Sequence, residues 1–162
     1  MNWNPSTPIP DRIFSALAYL LPLTTGLEFA TFLFQQFPIL QWLALPVIPI
    51  VMLYQAVPFG SLILFIVLLF LVVRNERISR FIRFNVMQAI VLDIALVILN
   101  LVLSLLNPLM GVSQGFFFVE TLTNTIFLGV LVAVGYGIYE SVLGQYADKI
   151  PAISDTTNMQ VR

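Results

Sequence analysis

From Phe59 to Val73 the chain carries no charged residue until Arg74 ends the run, and Glu120 and Glu140, 20 residues apart, bracket a second apolar stretch. At a rise of about 1.5 Å per residue, the second stretch makes about 30 Å of helix, the hydrocarbon thickness of a typical bilayer. A water-soluble globule would need a polar coat around such runs. Here 59% of the residues are apolar, 9% are charged and the mean hydropathy is +0.97, against roughly 25% charged in soluble domains. Inside a bilayer only helices and closed barrels satisfy their own backbone, and apolar runs of this length point to helices. The expected fold is all-α, a polytopic membrane helix bundle. A chain of 162 residues holds about four or five spans of roughly 20 residues, which leaves no room for a separate soluble domain.

The same counts remove whole classes of chemistry. There is no Cys and no His, which excludes disulfides, Cys/His zinc sites and Cys–His or Ser–His nucleophile pairs. Asp93 is the one aspartate inside a hydrophobic run, so the facing pair of an intramembrane aspartyl protease is missing. No glycine-rich phosphate loop is present. A net charge of −1 with seven basic residues argues against a nucleic-acid surface. The expectation is a protein that is not an enzyme, with no catalytic residue, no cofactor and no metal.

The opening MNWNPSTPIPD has three prolines and no basic residue, unlike a secretory signal or a transit peptide. If this is the whole precursor, the expectation is that it inserts through its own first span or is made in the compartment it serves. Asp11 is placed to cap a helix beginning at Arg12. Span 1 runs from Arg12 to Gln35, about 34 Å of helix, interrupted by Pro22, Thr24-Thr25-Gly26 and Glu28. The next apolar piece holds Pro38, Pro46, Pro49 and Pro58, and proline both removes a donor and clashes with the preceding turn. A broken, re-entrant or interfacial segment is expected there in preference to a kinked span. Span 2 is Phe59 to Val73, span 3 about Phe84 to Leu106 with Asn107-Pro108 closing it, and span 4 about Thr121 to Tyr139. Residues 1–150 thus make one domain with four transmembrane helices, and 151–162 a polar, flexible tail.

Arg74, Arg77, Arg80 and Arg83 fall at every third residue in the connection between spans 2 and 3. Short loops rich in Lys and Arg stay on the cytoplasmic side, which with four spans puts both termini there, and Lys149 and Arg162 agree. With Ile78, Phe81, Ile82 and Phe84 between them, the arginines suit a short amphipathic stretch at the headgroups that leads into span 3. Two roles stay open for it: orientation with phosphate anchoring, or docking of an acidic partner or passing polypeptide.

Span 3 holds Asn85, Gln88, Asp93 and Asn100, with Asp93, Asn100 and Asn107 seven apart and near one face. Asp93 lies about 15 Å past Arg83 along a helix, near the bilayer centre. An acid there faces the bundle or water and finds a partner, with Gln88, Asn100 or a Thr of another helix as options. It acts as interhelical glue or as part of a wet path, and Glu28 is ambiguous in the same way. Span 4 carries Thr121, Thr125, Gly129, Ala133, Gly137 and Ser141, all small and four apart. This spacing lets backbones approach closely, which marks Gly129, Ala133 and Gly137 as a packing face.

The runs RIFSALAYLLPLTTGLEFATFLFQQFP and VRNERISRFIRFNVMQAIVLDI resemble the Tic-twenty family, the twenty-kilodalton subunits of the translocon at the inner chloroplast envelope. The family includes cyanobacterial and plastid-encoded relatives. The resemblance covers roughly Arg12 to Ile150 and is strongest at Arg83-Phe84-Asn85, Met87-Gln88-Ala89 and Leu92-Asp93. Val57-Pro58-Phe59 looks like the end of the family's second segment. What the resemblance implies is a four-span subunit of a protein-import complex, for which channel formation has been proposed, with both termini cytoplasmic or stromal. It implies a cyanobacterial plasma or thylakoid membrane, or the plastid inner envelope. Implied partners are the lipid bilayer, other membrane subunits or a second copy, and a polypeptide client. A small ion channel or proton-linked carrier, and an assembly factor for membrane proteins, are the alternatives.

Because the chain lacks cysteine, single Cys probes at Thr7, Ser79, Ser113 and Thr156 test the topology without background. An impermeant maleimide added from outside should label only the Ser113 probe. Labelling at Thr7 without Thr156 would mean an odd number of crossings.

Overall fold

A computed structural model of the chain describes residues 7–106 and 114–146, with Thr157 and Met159. Asn107, Ser113, Lys149, Arg162 and the expected boundary at 150/151 lie outside the described residues. Four helical stretches are long and apolar enough to cross a membrane: Ile9–Gln36, Pro38–Ala56, Arg80–Leu106 and Phe117–Leu143. The protein is a membrane helix bundle.

The first passage joins α1 (Ile9–Ala18), α2 (Leu20–Gly26), a 3-10 turn over Leu27–Ala30 and α3 (Thr31–Gln36). Pro22 accounts for the first break, because its ring cannot sit against the carbonyl four residues back. The Tyr19 amide accordingly bonds the nearer Ala16 carbonyl, at 3.2 Å. Phe37 ends the passage in an extended form (φ −130°, ψ 80°), the conformation favoured before proline.

Pro38–Val47 then winds as a 3-10 helix, and α4 (Ile48–Ala56) continues in α form. Pro46 cannot donate to the carbonyl four back, whereas Pro49 falls in the first turn of α4, where no intrahelical donor is needed. Val57 is extended before Pro58 and Phe59 is left-handed at φ 60°. α5 (Gly60–Val67) follows and loosens into a π-helix over Leu68–Val73, where the Arg74 amide reaches back five residues to the Leu69 carbonyl at 3.1 Å.

One sequence expectation changes here. The segment 38–56 is not a clean α-helix, as its prolines predict: it is 3-10 over Pro38–Val47 and α over Ile48–Ala56. Phe59 to Val73 is not a full span alone: the helix Gly60–Val73 reaches about 21 Å at most.

Contacts at the two ends show how the four stretches run. Gln36 Nε2 donates to Glu120 Oε1 at 2.5 Å, near the start of α7 (Gln114–Leu143). Arg83 Nε donates to the Val73 carbonyl at 2.7 Å, at the start of α6 (Arg80–Leu106). Phe81 and Phe84 meet Tyr146 edge-on, with centroids 5.4 and 5.1 Å apart, and Thr7 Oγ1 donates to the Gly144 carbonyl at 3.4 Å. Residues 7, 73, 80 and 144 therefore share one end, and 36 and 120 the other. The segment from 38 to 73 makes one net passage from the second end to the first, so the chain runs end to end four times, in keeping with its four helices long enough to cross a membrane.

The arginines do not share one helical face. Arg74 and Arg77 lie in the turns before α6, where Asn75 Oδ1 accepts the Arg77 amide at 3.0 Å. Only Arg80 and Arg83 are helical, and Ser79 Oγ accepts the Ile82 amide at 3.4 Å at that helix start. Asn and Ser side chains that bond the backbone two or three residues on favour turns and caps over continuous helix.

α1 and α2 each pack against both α6 and α7, which touch one another little. The small stripe of α7 is divided. Gly137 meets the first passage so closely that a Cβ there would lie 2.3 Å from the Tyr19 ring, while Gly129 faces open space and Ala133 is half-buried. Most remaining outward positions are apolar, Leu71 and Val132 among them, as a lipid-facing surface requires.

Gly137→Leu should force the first passage away from α7, and overpacking of this kind costs about 1–3 kcal/mol. Its thermal midpoint in mild detergent should fall well below wild type, while Gly129→Leu should stay close to it. Equal shifts for both would remove any packing role specific to Gly137.

Candidate functional site

α6 supplies Asn85, Gln88, Asp93 and Asn100, and the 3-10 turn of the first passage supplies Glu28. The structure sorts these five into two groups rather than one path. Asn85 and Gln88 are buried near the arginine end of α6. Asn85 Oδ1 accepts from the Tyr19 hydroxyl at 3.0 Å and from Ser141 Oγ at 3.1 Å. Its Nδ2 donates to the Phe81 carbonyl one turn back, at 2.9 Å. One amide thus ties the first, third and fourth passages together.

The second group lies further along α6. Seven residues are about two helical turns, so Asp93 and Asn100 project from one side toward the first passage. Thr25 Oγ1 donates to Asp93 Oδ1 at 2.6 Å, and Asn100 Nδ2 donates to Glu28 Oε2. These two links line a cleft of about 980 Å³, walled on its other side by α4 and α5 through Tyr54, Gln55 and Ser61. Leu101, Val97 and Phe65 give it an apolar wall, and among the described residues no Lys or Arg lines it. Thr25 and Asn100, both neutral, donate to its two acids, which makes the cleft a hydrogen-bonding surface within the apolar helices. Among the described residues no group of three or more His, Cys, Asp or Glu is placed to hold a metal ion.

Tyr19, Thr25, Tyr54 and Ser141 complete these groups and are absent from the sequence-based candidates. Thr25 reads in the sequence as part of a break, and Ser141 as one member of a small stripe. Their signal is a hydroxyl inside an otherwise apolar span, which in lipid calls for a partner. Tyr19 gives no such signal, since a tyrosine suits an interfacial position equally well.

Residues 8–157 match the family model described as "Chloroplast import apparatus Tic20-like". The chain belongs to this family. It is 50% identical over 153 residues to a Tic20 family protein of Synechocystis, covering 94% of this chain and 93% of that one. It is 36% identical over 151 residues to Protein TIC 20-v, chloroplastic, of Arabidopsis thaliana, covering 93% and 71%. It is 34% identical over 167 residues to the Tic20 family protein Ycf60 of Gracilaria tenuistipitata, covering 94% and 76%. The region matched to the Tic20 family contains both the Asn85 node and the cleft.

Asn85→Leu would leave the Tyr19 and Ser141 hydroxyls buried without their acceptor, each at about 1 kcal/mol or more. Its melting midpoint in detergent should drop clearly. Asn100→Leu, at the rim of the cleft, should drop less. The reverse order would show that the cleft and not the node holds the bundle.

Proposed function

We propose that this protein is a membrane subunit of a protein-translocation complex and that the cleft between its first and third passages is the surface offered to a polypeptide in transit. The cleft carries this reading: it sets Thr25, Glu28, Asp93 and Asn100 against an apolar wall at membrane depth. A peptide segment needs both, because its backbone must exchange hydrogen bonds with something other than water and its side chains need apolar cover. Membership of a family described by a chloroplast import apparatus supports the setting. By the same family the membrane would be a plastid inner envelope or a cyanobacterial plasma or thylakoid membrane. The arginine end and both termini would face the stroma or cytoplasm, by the charge rule for short loops.

A proton-linked carrier is the second reading, favoured by the presence of two acids in one cleft. The two are separable. A photo-crosslinking residue at Ser61 or Leu101 should form adducts with a precursor arrested in transit, and one at the lipid-facing Val132 should form none. Asp93→Asn keeps hydrogen-bonding capacity and should translocate nearly as wild type. If Asp93→Asn assembles fully, loses proton flux in vesicles and the cleft probes capture no precursor, the carrier reading stands instead.

A further inference from the structure

One wall of the polar cleft is held far more loosely than the others. Side-chain hydrogen bonds tie the first passage, α6 and α7 to one another, and Arg83 holds the end of the second passage through the Val73 carbonyl. α4 has no such tie. None of its residues is buried, and Tyr54 and Gln55, which line the cleft, make no hydrogen bond among the described residues. Of the four stretches long enough to cross a membrane, the one that contains α4 is the least enclosed, 6% buried against 22% to 44% for the others.

Both ends of α4 are built to bend. Val47, 1% exposed, fixes the preceding 3-10 segment in the core. Pro46 and Pro49, on either side of the junction between the 3-10 and α forms, have no backbone N–H to give, and helices kink at such points. At the other end Val57 is extended (φ −134°, ψ 133°) and Phe59 is left-handed (φ 60°). Element-terminal residues of this kind absorb the φ and ψ changes of a hinge. Across the cleft the acceptors are incomplete. Thr25 bonds Asp93 Oδ1 and Asn100 bonds Glu28 Oε2, while Asp93 Oδ2 and Glu28 Oε1 accept nothing among the described residues. In lipid, unbonded polar groups on both sides are expensive.

We propose that α4 is a lid on the cleft, open in this structure, which turns about the Pro46–Pro49 junction and the Val57–Phe59 relay to set the Tyr54 hydroxyl and the Gln55 amide on the free oxygens of Asp93 and Glu28. Closure pairs donors and acceptors that the open form leaves unbonded, and it shields both acids from lipid. A polypeptide segment in the cleft offers its own donors in place of those of α4 and so holds the lid open. Closure itself does not depend on the translocation reading; its displacement by a polypeptide rests on that reading.

Because the chain has no cysteine, spin labels on introduced cysteines read this motion in the full chain. Met52→Cys on α4 with Val102→Cys on α6 spans the lid, and Val132→Cys on α7 with Val102→Cys spans the frame; all three sites are exposed. Pulsed electron–electron distances in lipid nanodiscs should show two populations for the lid pair and one for the frame pair. Each interhelical hydrogen bond in lipid is worth about threefold, so Tyr54→Phe combined with Gln55→Leu should cut the ratio of shorter to longer distance about tenfold. The thermal midpoint of that variant should stay near wild type, since neither side chain bonds anything in the open form. Asp93→Asn with Glu28→Gln keeps an acceptor at each position and should retain both populations. A single narrow distance for the lid pair overturns the proposal, and so do two distances whose ratio ignores the Tyr54 and Gln55 changes. An arrested precursor should leave only the longer distance. If the variants act as expected and the precursor leaves the ratio unchanged, the lid stands and the polypeptide reading of the cleft falls.

Discussion

The hydrogen bond from the Tyr19 hydroxyl to Asn85 is the contact on which the bundle turns. In lipid, helices gain nothing from hiding apolar surface, since the solvent is as apolar as they are. What joins them is close packing and polar bonds. Tyr19 supplies both: its ring fills the space left by Gly137, and its hydroxyl reaches the amide that also receives Ser141. The first passage is therefore the hub, in contact with α6 and α7 while these touch each other little. Breaking this node would free three of the four passages at once.

Proline placement decides where the structure is tight and where it is open. Pro22 interrupts the first passage just past Tyr19, and Pro38, Pro46, Pro49 and Pro58 make the second passage a relay of two helices. At the relay Phe59 is left-handed, and Gly60 packs so closely that a Cβ there would lie 2.6 Å from the Tyr54 carbonyl oxygen. A bulky residue with positive φ is strained, and irregular backbone at membrane depth persists only where protein covers it or a polar space adjoins it. The cleft is that space: Tyr54, Gln55 and Ser61, on either side of the relay, all line it.

Much of this was legible in the residues and some was not. All-α membrane architecture follows from long uncharged runs, and the polar positions of α6 stand out because lipid makes them expensive. The division of labour among them does not stand out. Asn85 and Asp93 look alike in an apolar run, yet one is sealed between three passages and the other faces a cleft, and only the positions of Tyr19 and Thr25 decide which. In the second passage the prolines mark where the α form gives way, 3-10 over Pro38–Val47 and α over Ile48–Ala56, but an uncharged run such as Gly60–Val73 does not show that its helix is too short to cross alone. The small stripe shows the same limit: its period marks a face, but the first passage covers only the half that contains Gly137.

The shape of the cleft constrains what one copy can do alone. Its rim includes Leu62, Ile94 and Leu101, which are exposed, so the described residues leave its outer wall open. Against lipid, an open rim lets acyl chains meet Glu28 and Asp93, an unfavourable contact for either protonation state of a polar group. A second protein surface, or a segment of polypeptide with polar groups of its own, would complete the wall and give those acids partners beyond Thr25 and Asn100. An incompletely walled polar groove is the form that the proposed role asks for, in which the other wall would be supplied by a partner or by the client.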